Sequence, residues 1–132
     1  MTTARLTRLL AAALLLAGGV IHFDLWRGGY RHIPAIGPLF LANFVGSIVL
    51  AVAVVLSRRQ TFAVGGIVFA AGSLAALVLS RTVGVFGFTE TVWTSQAMRT
   101  LASEAGAIAT LGWVLTMQHR HPRPLPHPIR VP

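Results

Sequence analysis

The sequence predicts an all-α fold, a polytopic membrane four-helix bundle with N and C termini cytoplasmic, and three observations carry that prediction. The 132 residues are 55% hydrophobic and only 11% charged, with a mean hydropathy of +0.72, whereas a soluble domain is about a quarter charged. Apolar runs recur four times, at residues 6–23, 39–56, 62–79 and 100–117. At a rise of about 1.5 Å per residue each reaches about 27 Å, close to the roughly 30 Å hydrocarbon core of a bilayer. The arginines, finally, are sorted between alternate connections. Arg5, Arg8, Arg58, Arg59, Arg120, Arg123 and Arg130 fall on one side, while Arg27, Arg31, Arg81 and Arg99 share the other with Asp24, Glu90 and Glu104. By the positive-inside rule the first side is cytoplasmic.

The first run is preceded by Arg5 and Arg8 and followed by the small residues Ala17 to Gly19, a pattern shared with signal peptides. Its apolar character continues through Val20 and Ile21 and three more runs follow, so it is read as an uncleaved first helix. Residues 24–38 contain Gly28, Gly29, Pro34, Gly37 and Pro38, a density of helix breakers that predicts a shaped outer loop. The second and third runs are joined only by the stretch from Ser57 to Thr61, which predicts an antiparallel helical hairpin with a tight cytoplasmic turn. Residues 80–99 form a second outer connection, in which Thr94 or Ser95 is placed to cap the fourth helix. Gly65, Gly66, Ala70 and Gly72 in the third run, and Ala102, Gly106, Ala109 and Gly112 in the fourth, predict close helix contacts. Residues 1–118 thus make the bundle, and 119–132, rich in Pro and Arg, read as a disordered cytoplasmic tail.

Several function classes fall away. The chain has no cysteine, which removes dithiol redox chemistry, thiolate metal sites and disulfides. Its net charge of +8 is scattered between apolar runs and forms no recognition stripe, so the expected partner is the lipid bilayer and not nucleic acid. No nucleophile, base and orienting acid stand at a recognisable spacing, and no catalytic residue is assigned. Ser47 and Ser73, both within apolar runs, are expected to hydrogen-bond backbone or a neighbouring helix.

Polar chemistry concentrates at the outer side. His22, Asp24, Arg31, His32, Glu90 and Glu104 form a candidate outer-face cluster, and helical spacing places Asp24 beside Arg27. Trp26, Tyr30 and Trp93 fall at the level of an interfacial aromatic belt. Glu104 stands about one turn inside the fourth run, where a carboxylate is costly and finds a partner; Arg99, Arg81, Arg31 and His22 are the candidates. His22 and Glu104 are the weak candidates for a metal, since no HxxxH or HExxH spacing occurs.

The stretch "IHFDLW" followed by "GGYRHIPAIGPLF", and the later "VGVFGFTET", resemble segments of small four-helix integral membrane proteins of high-GC Gram-positive, actinobacterial origin. In size and helix number the chain is also distantly similar to the DoxX-like group, although no motif residue carries a DoxX activity onto it. The resemblance implies a multi-pass protein of the bacterial plasma membrane. The expected function is that of an accessory or interaction component with a polar outer face, partnered by another membrane protein or by copies of itself. The alternative is a small redox or metal-handling subunit that binds a metal or a quinone headgroup at its outer loops.

Overall fold

The computed structural model describes residues 2–120 and contains four long helices: α1 (Thr3–Arg27), α2 (Ile36–Leu56), α3 (Gln60–Thr82) and α4 (Ser95–Arg120). Three of them, α1, α2 and α3, are long and apolar enough to cross a membrane, with mean hydropathies of 1.8, 2.6 and 2.3 over their best windows. The fourth expected span is a helix of 26 residues, but Arg99, Ser103, Glu104 and its many small residues keep it below the apolar character of the other three. Its polar side chains turn inward, where Thr100, Ser103 and Glu104 are buried. Large apolar residues such as Leu10, Val49, Val68 and Leu79 point outward instead, the inverted arrangement that a lipid environment favours.

The helices are longer than the apolar runs. α1 continues past Phe23 to Arg27, and α2 already begins at Ile36, so the first loop is shorter than the expected 24–38. Pro38 is tolerated because it sits in the first turn of α2, where its missing N–H would have had no helical acceptor. Thr94 caps α4 as expected, its Oγ1 accepting from the Ala97 N–H at 3.2 Å. His119 and Arg120 are the last residues of α4, and the rest of the expected tail, 121–132, lies outside the described residues.

Side-chain bonds fix the antiparallel order. At one end Arg8 Nη1 donates to the carbonyls of Val54 at 3.1 Å and Ser57 at 2.6 Å, and Gln118 Nε2 donates to the Arg58 carbonyl at 3.1 Å. The start of α1, the Ser57–Arg59 turn and the end of α4 therefore share this terminal end. The loops 28–35 and 83–94 share the opposite, loop end, where the Tyr30 hydroxyl donates to Glu90 Oε2 at 2.8 Å.

Packing is uneven around the bundle. α1 packs on both α2 and α4, α3 packs on α4, and among the four neighbouring pairs α2 and α3 touch least. Gly18 and Gly19 let α1 approach its neighbours closely. A Cβ on Gly19 would stand 2.7 Å from Ser47 Cβ on α2, and one on Gly18 would stand 3.1 Å from Glu104 Oε1 on α4. The core between them is built from Ala11, Leu15, Ala51, Val54, Ala107 and Leu111, concentrated toward the terminal half. Toward the loop end the expected hairpin of α2 and α3 parts, and the gap between them becomes a cavity.

Candidate functional site

The cavity has a volume of about 310 Å³, at the lower bound of small-molecule sites. Leu39, Phe40, Phe69, Leu77, Val85 and Phe88 supply its apolar walls, and His22, Asn43, Ser73 and Thr100 line it from four different helices. At its mouth stand Tyr30, Arg81, Glu90 and Thr94. A second recess at the loop end shares Leu25, Tyr30, Glu90 and Thr94 with it and adds Asp24 and Gln96.

A hydrogen-bond relay runs through the wall of the cavity. Ser47 Oγ donates to Asn43 Oδ1 at 3.4 Å within α2, and Asn43 Nδ2 donates to Ser73 Oγ on α3 at 3.2 Å. The Ser73 hydroxyl in turn faces the Glu104 carboxyl group on α4. Both bonds point the same way, and Ser73 beyond them faces a carboxyl oxygen able to accept. Ser47 and Ser73 thus bond along their own helix and to a neighbouring one, as their apolar setting requires.

Glu104 is 2% exposed, and the polar side chain it faces is this serine. Among the described residues the one ion pair within bonding range joins Arg81 Nη1 to Glu90 Oε2 at 3.4 Å, so the arginine partners expected for Glu104 do not reach it. Arg31 is exposed and donates through Nε to His32 Nε2 at 3.0 Å. Asp24 is exposed as well, and in place of the expected contact between them the Arg27 guanidinium lies 5.9 Å over the Phe23 ring. The six residues of the expected outer cluster therefore separate into three groups. His22 lines the cavity, Glu90 holds its mouth, and Glu104 lies at the end of the relay; Asp24, Arg31 and His32 face outward. Among the described residues no three His, Asp or Glu side chains come together in a metal-binding group. His22 and Glu104 do share a neighbour, because His22 Nδ1 donates to the Gly18 carbonyl at 2.8 Å and Glu104 Oε1 lies against the same glycine.

The mouth is held by interlocking contacts. Arg81 Nη1 donates to the Glu90 carbonyl at 3.0 Å, the Glu90 N–H donates to the Ser80 carbonyl at 2.9 Å, and Trp93 lies under the guanidinium at 5.2 Å. Tyr30 packs on Phe40 and Phe88 with ring centroids 5.0 and 5.7 Å away. Burial, reinforced by the bond to Glu90 and its negative charge, pushes the Tyr30 hydroxyl up to about 12. The residues that sequence reasoning passed over are Asn43, Thr100 and the site role of Arg81. An asparagine inside an apolar run was a visible signal for the first, whereas nothing in the spacing marks Thr100.

Comparison with family models, with curated proteins and with solved structures found no match to this chain.

Two outcomes follow from this geometry. Glu104→Gln keeps an acceptor for Ser73 and is expected to stay within about 1 kcal/mol of the parent, whereas Glu104→Leu strands the relay and costs roughly 2–3 kcal/mol; thermal unfolding in detergent measures both, and equal losses would assign the position to packing volume alone. Tyr30 is the chain's single tyrosine, so tyrosinate absorbance reports it directly. Because the folded value is raised, its contribution to stability is complete below the unfolded value of 10.0 and is lost as pH climbs to about 12. Ionisation in the folded protein at the ordinary tyrosine pH would show that the ring is not held against Glu90.

Proposed function

We propose that the chain is a multi-pass plasma-membrane protein that works by binding and not by catalysis. Its ligand is an amphipathic molecule drawn from the bilayer into the cleft between α2 and α3, and its role is that of an accessory component presenting or sequestering that molecule at the outer face. The observation that carries this reading is the cavity itself, with apolar walls along Leu39, Phe69 and Leu77 and polar groups at one end. A packed bundle leaves few voids larger than a water molecule, and a dry void at His22 and Thr100 would leave their Nε2 and hydroxyl without partners.

The orientation follows from the arginines. Arg5, Arg8, Arg58 and Arg59 belong to the terminal end, which the positive-inside rule places in the cytoplasm, so the cavity mouth opens toward the outer leaflet.

A second reading has one observation in its favour. Tyr30, Phe40 and Phe88 surround the cavity with aromatic rings, and His22 lies 5.0 Å from Phe40, an arrangement suited to a flat quinone headgroup. A metal at His22 and Glu104 ranks behind it, because the donor set known from the described residues stops at two.

Native mass spectrometry of the chain released from lipid nanodiscs tests the binding reading. The parent is expected to retain a lipid-sized mass, and Ala76→Trp, which fills the cavity wall, is expected to shed it; a parent that carries no such mass would overturn the proposal. Orientation is tested separately with Gly29→Cys, at a position open to solvent. An impermeant thiol reagent should label it on intact cells, and labelling only after lysis would invert the topology.

A further inference from the structure

The cavity lining includes two side chains, from α1 and α4, whose hydrogen-bonding capacity is left unused among the described residues. His22 on α1 is 9% exposed and Thr100 on α4 is 4% exposed, and both line the cavity. The Gly18 carbonyl can only accept, so the 2.8 Å contact fixes the proton on His22 Nδ1 and leaves Nε2 of the neutral ring as a lone-pair acceptor. The Thr100 backbone carbonyl is taken by Ser103 Oγ at 3.0 Å. Among the described residues neither His22 Nε2 nor the Thr100 hydroxyl has a hydrogen-bond partner. One seeks a donor and the other offers a proton.

A single alcohol group answers both. Its O–H would supply the donor that His22 Nε2 lacks, and its oxygen the acceptor that the Thr100 hydroxyl lacks. A quinone carbonyl satisfies Thr100 alone, since it has no proton for Nε2. An anionic headgroup meets a mixed setting: the guanidinium on the cavity wall, Arg81, is paired with Glu90 at 3.4 Å but keeps one buried donor, Nε, without a partner among the described residues, so phosphatidic acid is the competitor against which the alcohol must be ranked.

We propose that the cavity binds a lipid alcohol, an uncharged amphiphile whose hydroxyl lies between His22 and Thr100 and whose hydrocarbon chain runs along Leu39, Phe69 and Leu77. The proposal rests on the binding reading above and specifies its ligand. Diacylglycerols and long-chain isoprenoid alcohols share the required chemistry.

The test uses the full chain in phosphatidylcholine nanodiscs and measures equilibrium binding of radiolabelled dioleoylglycerol and of geranylgeraniol. Dioleoyl phosphatidic acid and decylubiquinone serve as competitors. At least one of the two alcohols should bind saturably, and the stronger one names the source. Phosphatidic acid and the quinone should compete at least about tenfold less well than the unlabelled alcohol. Thr100→Val, which keeps the side-chain shape, and His22→Phe should each weaken the alcohol about tenfold. The ranking of ligands on the parent protein needs no variant to fold. Equal or better competition by phosphatidic acid or the quinone, with binding abolished by Ala76→Trp, would overturn the hydroxyl assignment and leave the cleft as a binding site. Binding of alcohol unaffected by Thr100→Val would also overturn it. Absence of saturable binding by any probe, together with no lipid-sized mass on the parent, would overturn both readings.

Discussion

An apolar bundle has no water to satisfy the polar groups inside it, so each such group must find its partner on a neighbouring helix, and here the relay from Ser47 through Asn43 and Ser73 to Glu104 does this across three helices. The bond from Asn43 to Ser73 is also the direct polar tie between α2 and α3, the most loosely packed of the four neighbouring helix pairs. Its position sets how far the cleft extends: toward the terminal end of this tie the bundle is filled by alanine, leucine and valine, and toward the loop end it is open. The relay thus holds two helices in register where apolar contact does not, and permits a cavity without loss of the fold.

The glycines of α1 belong to the same construction. Glu104 reaches its buried position because Gly18 presents no side chain to it, and Ser47 approaches α1 because Gly19 does the same. α1 is therefore the back wall against which both α2 and α4 are set, and His22, one turn beyond Gly18, is carried into the cavity by that placement. The loop end depends on another set of contacts. Arg81, with only 5% of its side chain exposed, gathers the Glu90 carbonyl, the Glu90 carboxylate and the Trp93 ring, which fixes the 83–94 loop across the mouth.

Much of the helical architecture was legible in the chain because apolar run length and breaker spacing are local properties. α1, α2 and α3 follow from them, and so does the Thr94 cap. The helix limits were less legible: Pro38 and Gly37 read as loop residues, yet the first turn of a helix accommodates both. α4 exposes the limit of hydropathy, since inward-facing Thr100, Ser103 and Glu104 lower its apolar average while stabilising its place in the bundle. The candidate site was legible only in part. Its place at the loop end and the burial of Glu104 follow from sequence position, but arginine pairing is decided by three-dimensional reach, and Arg81 bonds to Glu90 nine residues away because the loop folds back over it. Asn43, Ser73 and Thr100 belong to different helices, and their meeting depends on helix rotation, which no one-dimensional spacing specifies.

The two ends of the bundle differ in a way that constrains traffic. Arg8 clasps the Val54 and Ser57 carbonyls and Gln118 holds the Arg58 carbonyl, while Leu15 and Leu111 fill the axis behind them. The cavity lining accordingly stops at Asn43, Phe69 and Thr100 and does not reach the terminal half of the bundle. The cleft is therefore a cul-de-sac, closed at the terminal end of the bundle and bounded at the loop end by the 83–94 loop.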